Sequence, residues 1–386
     1  MQSASHQKLI PRVTWARLIW SWAIVGLFVF FGDAWLAAPL TPAIAAGVFV
    51  LLFGTIVAAS FGVVREADHL AHQLGEPYGT LILTLSIVLI EVILIASVLL
   101  GPGDFPTIGR DSIFAVMMII VNLVMGVCLL AGGLRHGEQE FNVQGTAAYL
   151  SMIVLLTGTA LVLPNYTSGA GEFSFSQALA VAALTAVLYG VFLAMQMGGH
   201  RRLFVQPRPG MLAVPFAESK KESAAAAPAP HDAGGKRALW VRSGVLLAMI
   251  LPIVLLAHYL AIVIDYGVAT TGAPVALGGV LIAIIVFTPE SITAVKAALN
   301  NEMQRAINLC LGAFVSTVGL TVPAVLVIGL VTGKQVTMGI SVIETVLFIV
   351  TAALSMLTFN GQRTSALQGL MHMVLFAIYG LLLFNP

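Results

Sequence analysis

Two glutamates, Glu91 and Glu290, stand inside otherwise apolar stretches, GTLILTLSIVLIEVILIAS and GGVLIAIIVFTPESITAVK. Each follows a glycine, Gly79 or Gly278, by twelve residues, and the stretches align without a gap at an offset of 199. A carboxylate at bilayer depth is costly, and such residues mark ion or proton pathways. A pair of them offers oxygen ligands and two negative charges, enough to neutralise one divalent ion. The same carboxyls can carry protons, because burial and a second nearby carboxylate both favour the neutral form. Cation and protons then compete for one place, and Glu91 and Glu290 are the expected cation/proton and metal site.

Calcium takes about six to eight oxygen ligands, so two glutamates need help from neutral oxygens and water. Thr84, Ser86, Asn122, Thr288, Ser316 and Thr317 are the polar candidates near the pair. Ser and Thr also serve ordinary helix contacts in membranes, so only part of this set is expected to line a site. Pro289 directly precedes Glu290. Proline removes a backbone donor, and a kink there would free carbonyl oxygens beside the carboxylate. A kink serving only packing is the alternative. Glu344, in MGISVIETVLFIV, is the third acid within an apolar span. It reads either as a proton-route residue or as a partner for a polar group in the bundle. Glu66 and Asp68 read as an entrance that attracts cations or as a solvated loop.

Elements apolar enough to hold such a site recur along the chain. Of its 386 residues, 59% are hydrophobic and 9% charged, and the mean hydropathy is +0.99. Repeated apolar runs of about twenty residues define an all-α polytopic membrane protein. Strands of an outer-membrane barrel would be about ten residues long and alternating. A net charge of +1 offers no case for nucleic-acid binding. Cys128 and Cys310 form no ligand pattern. Eleven spans are predicted, at 14–36, 41–64, 78–100, 112–134, 147–164, 175–197, 240–264, 273–299, 304–331, 336–358 and 365–384. The first is expected to be an uncleaved helix rather than a signal peptide, because it is long and runs straight into another span.

With the N-terminus in the cytoplasm, sixteen of the eighteen Lys and Arg residues fall on the cytoplasmic side, and only Arg110 and Lys334 fall outside. This is the bias of the positive-inside rule, and it puts the C-terminus outside. Glu91 lies on the third span and Glu290 on the eighth, so the two cross in opposite directions. That arrangement is an inverted repeat, which places a substrate site near the midplane at the repeat interface. The expected organisation is an extra helix at 1–40, a five-helix repeat at 41–197, a disordered cytoplasmic linker at 198–239 and a second five-helix repeat at 240–386. The linker assignment rests on the stretch ESKKESAAAAPAPHDAGGKR, which has little to pack.

The stretches READHLAHQLGEPYGTLILTLSIVLIE (65–91), TPESITAVKAALNNEMQRAINLCLGAFVSTVGLTVP (288–323) and GQRTSALQG (361–369) are similar to the calcium/proton antiporters of the cation/calcium exchanger superfamily, specifically the bacterial ChaA type. The resemblance implies two inverted five-helix repeats behind an extra helix, with one essential acid per repeat matching Glu91 and Glu290. The Gly-Asn pair that many calcium/proton exchangers carry before these acids is absent, and Gln368 replaces a frequent glutamate. The expected function is export of Ca2+ in exchange for H+ across a bacterial inner membrane by alternating access. Na+ or K+ exchange on the same scaffold stays open, and a cation channel is the reading from a different class. Neither H-E-x-x-H nor G-x-S-x-G occurs, so no enzyme is expected. No cofactor is implied. The partners are inorganic cations, protons and lipid, and oligomeric state is not legible.

Overall fold

The computed structural model describes residues 10–37, 40–74, 78–101, 105–167, 169–207 and 235–385. These residues form eleven helical segments. They are α1 (Arg12–Leu36), α2 (Pro42–Leu74), α3 (Tyr78–Leu99), α4 (Ile108–His136), α5 (Val143–Tyr166), α6 (Phe175–Met197), α7 (Gly235–Thr271), α8 (Ala276–Leu299), α9 (Met303–Thr332), α10 (Val342–Thr358) and α11 (Ala366–Phe384). Nine are long and apolar enough to cross a membrane, the shorter apolar stretches being Leu85–Leu99 within α3 and Val342–Thr358. The protein is thus a multi-pass helical membrane protein, as the hydropathy pattern predicts.

Burial sorts the helices into centre and rim. The apolar stretch of α4 is 83% buried inside the bundle, against 28% for α6 and 22% for α11. A helix that is apolar all round belongs in the interior, and α4 takes that place. The rim helices α1, α6, α10 and α11 expose Phe30, Leu184, Val342 and Leu381, as helices that face lipid do. Helix α1 is fastened across α2 and α7. Trp20 donates to Thr55 Oγ1 (3.1 Å), Trp22 to the carbonyl of Ala248 (2.9 Å) and Thr14 to Glu66 (3.1 Å).

The centre is held by close backbone approach. A Cβ on Gly279 of α8 would lie 2.5 Å from Asp111 C and Ser112 N of α4, so only glycine lets these two helices meet. Close approach through small residues is how membrane helices gain packing energy where lipid tails compete for apolar contact.

Three sequence expectations change. The predicted span 336–358 starts later, at Val342. Gly333 closes α9 in the left-handed conformation (φ 70°), and residues 334–341 then run without helix against neighbouring loops. Thr337 N bonds Pro106 O, Met338 N and Gly339 N share Gly171 O, and Ile340 N bonds Leu161 O, at 2.8–2.9 Å. The linker assigned to 198–239 shortens at both ends. Residues 198–207 are structured, with a single 3-10 turn at Arg201–Phe204, and α7 begins at Gly235. Residues 208–234 lie outside the described residues. Glu66 does not belong to a solvated loop. It is fully buried and pairs with Arg242 of α7 at 3.0 Å. Together with the Thr14 bond, this charge pair joins α1, α2 and α7 at one end of the bundle.

The approach at Gly279 yields a stability test. Gly279→Val is expected to lower the melting temperature of the detergent-solubilised protein, with an overpacking cost of about 1–3 kcal/mol. Gly190→Val, where a Cβ meets open space, is expected to leave it unchanged.

Candidate functional site

Helices α3 and α8 bring the two glutamates together. Glu91 is fully buried and Glu290 is 8% exposed, so the second alone has a surface to the outside of the core. The Glu91 carboxylate lies close enough to Glu290 for its charge to act there. Glu91 Oε2 accepts a hydrogen bond from Thr317 Oγ1 of α9 at 2.9 Å. Glu91 Oε1 and Glu290 Oε2 are buried without a hydrogen-bond partner, and so is Thr321 Oγ1, one turn beyond Thr317. Buried polar atoms are nearly always paired, so the two orphan carboxylate oxygens of Glu91 and Glu290 mark a place where a ligand supplies the missing contacts.

The two repeats are unequal here. Glu91 has a hydroxyl donor in Thr317, whereas Asn122, which stands as far beyond Arg110 as Thr317 does beyond Arg305, is bonded to Thr351 and His372 instead.

A cavity of about 340 Å3 leads to Glu290 from one end of the bundle. Ile87 and Val88 of α3, Tyr189 and Gln196 of α6, and Arg305, Asn308 and Ser316 of α9 line it. From Arg305 to Ser316, α9 rises about 16 Å, which carries the cavity well into the membrane span. Ser316 accepts from Tyr189 Oη (3.0 Å) and donates to the carbonyl of Gly312 (2.8 Å). Among the described residues, no cluster of three or more His, Cys, Asp or Glu forms. A divalent ion at the glutamate pair would therefore depend on neutral oxygens and water for most of its ligands.

The secondary candidates divide. Thr317 reaches Glu91, and Ser316 lines the cavity. Ser86 is buried on α3, but five residues before Glu91 place it about 140° away around the helix. Thr84 lies where side chains are outside the described residues. Thr288 is half-exposed and bonds back to Ile284 O, away from the pair. Helix α8 runs unbroken through Pro289. Because proline has no N–H, the carbonyl of Ile285 still lacks its usual helical donor.

Asn122 and Glu344 each have polar partners of their own. Asn122 sits in a π-helical segment of α4, Met118–Val124, and its amide is already committed. Nδ2 donates to Thr351 Oγ1 at 3.0 Å, and Oδ1 pairs with His372 Nδ1 at 3.0 Å. His372 Nε2 in turn meets Thr358 Oγ1 at 3.1 Å. This buried chain ties α4 to α10 and α11. Glu344 occupies the first turn of α10, where it and Ser341 form a capping box (2.8 and 3.2 Å). The sequence places it inside a span only because the apolar run begins before the helix does.

Tyr189, Gln196, Thr321 and Arg201 were not singled out from sequence. A signal existed for the first. Ala182, Thr185, Tyr189 and Leu193 form the buried stripe of α6 at helical spacing. Gln196 continues that stripe.

Opposed buried acids, one of them bordering a cavity, in a bundle of eleven described helices define a secondary-transporter architecture. Residues 44–198 and 242–385 match the model of the sodium/calcium exchanger protein family, and the chain belongs to that family. It is 34% identical over 367 residues to a putative ionic transporter, y4hA, of Sinorhizobium fredii, covering 94% of this chain and 95% of that protein. It is 36% identical over 363 residues, 94% of each chain, to the sodium-potassium/proton antiporter ChaA of Escherichia coli. The solved structure of YfkE superposes with a TM-score of 0.71 at 18% identity, covering 96% of this chain and all of that one, which is a likeness of fold.

The commitment of Asn122 separates stability from transport. Asn122→Ala is expected to cost about 1 kcal/mol of stability, the scale of an interhelical hydrogen bond in a membrane. It should leave the apparent cation affinity of reconstituted protein within about twofold, whereas Thr317→Val, at the carboxylate, should weaken it several-fold, on the scale of one hydrogen bond to a charged group.

Proposed function

We propose that this chain is a cation/proton antiporter of the bacterial inner membrane, exporting Ca2+ from the cytoplasm in exchange for H+ by alternating access. Glu91 and Glu290 form the shared site. The observation that carries this reading is the pair of opposed, buried carboxylates with unpartnered oxygens, one of which, Glu290, borders the cavity. Emptied of cation, the two carboxyls take up protons rather than face each other charged in a dry site. Bound cation reverses that balance and displaces the protons. Exchange follows when the empty, doubly ionised site crosses the membrane poorly. Protons entering from outside then discharge one leg of the cycle, and cation loaded from the cytoplasm drives the other.

The sidedness rests on charge. The end of the bundle that carries Arg201, Arg305, Lys296 and Arg363 is assigned to the cytoplasm. The cavity then opens inward, the side from which an exporter loads. The domain plan stays as proposed, one helix before two five-helix repeats, with the linker confined to the residues between Pro207 and Gly235.

Exchange of Na+ or K+ is the second reading. The Escherichia coli relative is named a sodium-potassium/proton antiporter, and no third carboxylate joins the pair among the described residues. A monovalent ion would leave one carboxyl protonated.

Transport in inside-out vesicles under an imposed proton gradient tests the reading. Addition of Ca2+, Na+ or K+ should dissipate the gradient reported by a pH dye, in the order of preference. Glu91→Gln and Glu290→Gln should each abolish the response. Full exchange in both variants would refute the shared site, and a cation current without proton movement would make the protein a channel.

A further inference from the structure

The mouth of the cavity is built by the turn that follows α6, and that turn is seated firmly. Phe204 packs against Tyr149 (5.1 Å between ring centroids) and Phe192 (6.0 Å). Its carbonyl accepts from Asn308 Nδ2 at 2.6 Å. Gln206 accepts from Gln304 N (2.8 Å) and donates to Glu140 O (3.2 Å). Gly145 of α5 makes room, since a Cβ there would collide with the carbonyl of Leu203. The turn therefore holds a fixed position over the cavity.

Two arginines line that cavity, Arg201 on the turn and Arg305 at the start of α9. Arg305 is compensated by Glu302 at 3.0 Å. Arg201 forms no ion pair among the described residues. An uncompensated positive charge, carried on a seated turn, thus stands at the entrance of a cavity that reaches a carboxylate.

We propose that Arg201 is a specificity-determining residue that biases the transporter against divalent and toward monovalent cations. This rests on the reading that the cavity is the cation's route. The argument is electrostatic. A fixed potential costs an ion in proportion to its charge, so the penalty factor for Ca2+ is the square of the factor for Na+ or K+. A unit charge about 10 Å from the path in water lowers monovalent occupancy about twofold and divalent occupancy about fourfold before screening by salt. The glutamate pair favours the divalent ion, and Arg201 offsets part of that preference at the entrance.

Arg201 is exposed, so its replacement should not disturb folding. Arg201→Gln and Arg201→Lys proteins are reconstituted, and half-saturating concentrations of Ca2+ and Na+ for proton exchange are measured at about 10 mM ionic strength, where the Debye length is about 30 Å. With that screening, Arg201→Gln should lower the value for Ca2+ about threefold and for Na+ about 1.7-fold. Arg201→Lys should match the wild type, and added choline chloride should erase the difference. Equal shifts for both ions, or no shift, would overturn the proposal while leaving antiport intact. Absence of exchange in the wild-type protein would overturn the antiport reading itself.

Discussion

Everything in this bundle is arranged around two carboxylates that cannot both be charged in a dry interior without a partner. Glu91 is fully enclosed and Glu290 nearly so, and together they leave two oxygens unsatisfied. Such a pair is stable as a neutral, protonated site or as an ionised site holding a cation, and unfavourable in between. The rest of the fold maintains that choice. Gly279 lets α8 press against α4, Thr317 bonds one carboxylate, and the cavity reaches the other.

The duplicated plan explains why the pair exists, and its imperfections explain why the two members differ. Matching apolar segments crossing in opposite directions bring equivalent acids to one depth. Thr317 in one repeat bonds Glu91, while Asn122, at the matching distance beyond Arg110 in the other, bonds Thr351 and His372, and the environments are unequal. One glutamate is held by a hydroxyl and sealed, and the other borders the cavity. A site with one anchored and one accessible carboxylate can admit an ion from one side while keeping its geometry.

The helices and the central acids were legible in the sequence because both leave strong local signals. Runs of about twenty apolar residues need no partner to be recognised, and a glutamate inside one stands out at once. What was not legible depended on distant contacts or on short capping motifs. Asn122 looked like a ligand, yet it is spoken for by His372, 250 residues away. Glu344 looked like a membrane-embedded acid, yet Ser341 three residues earlier makes it a helix cap. The start of the linker looked featureless, but Phe204 and Gln206 find partners on α5, α6, α9 and the residues around Glu140. The polar face of α6 went unseen because Tyr189 and Gln196 sit in a helix whose other positions suit lipid.

Cation and protons competing for the same two carboxyls is the central claim, and linkage makes it directly measurable. Binding of Ca2+ or Na+ to the purified protein, followed by calorimetry in buffers of different ionisation enthalpy, counts the protons released per cation bound. Competition predicts release of between one and two protons per cation under conditions where the empty site is protonated, with apparent affinity falling about tenfold per pH unit for each proton displaced. Binding that releases no protons, with an affinity unchanged between acidic and alkaline buffer, would contradict the account.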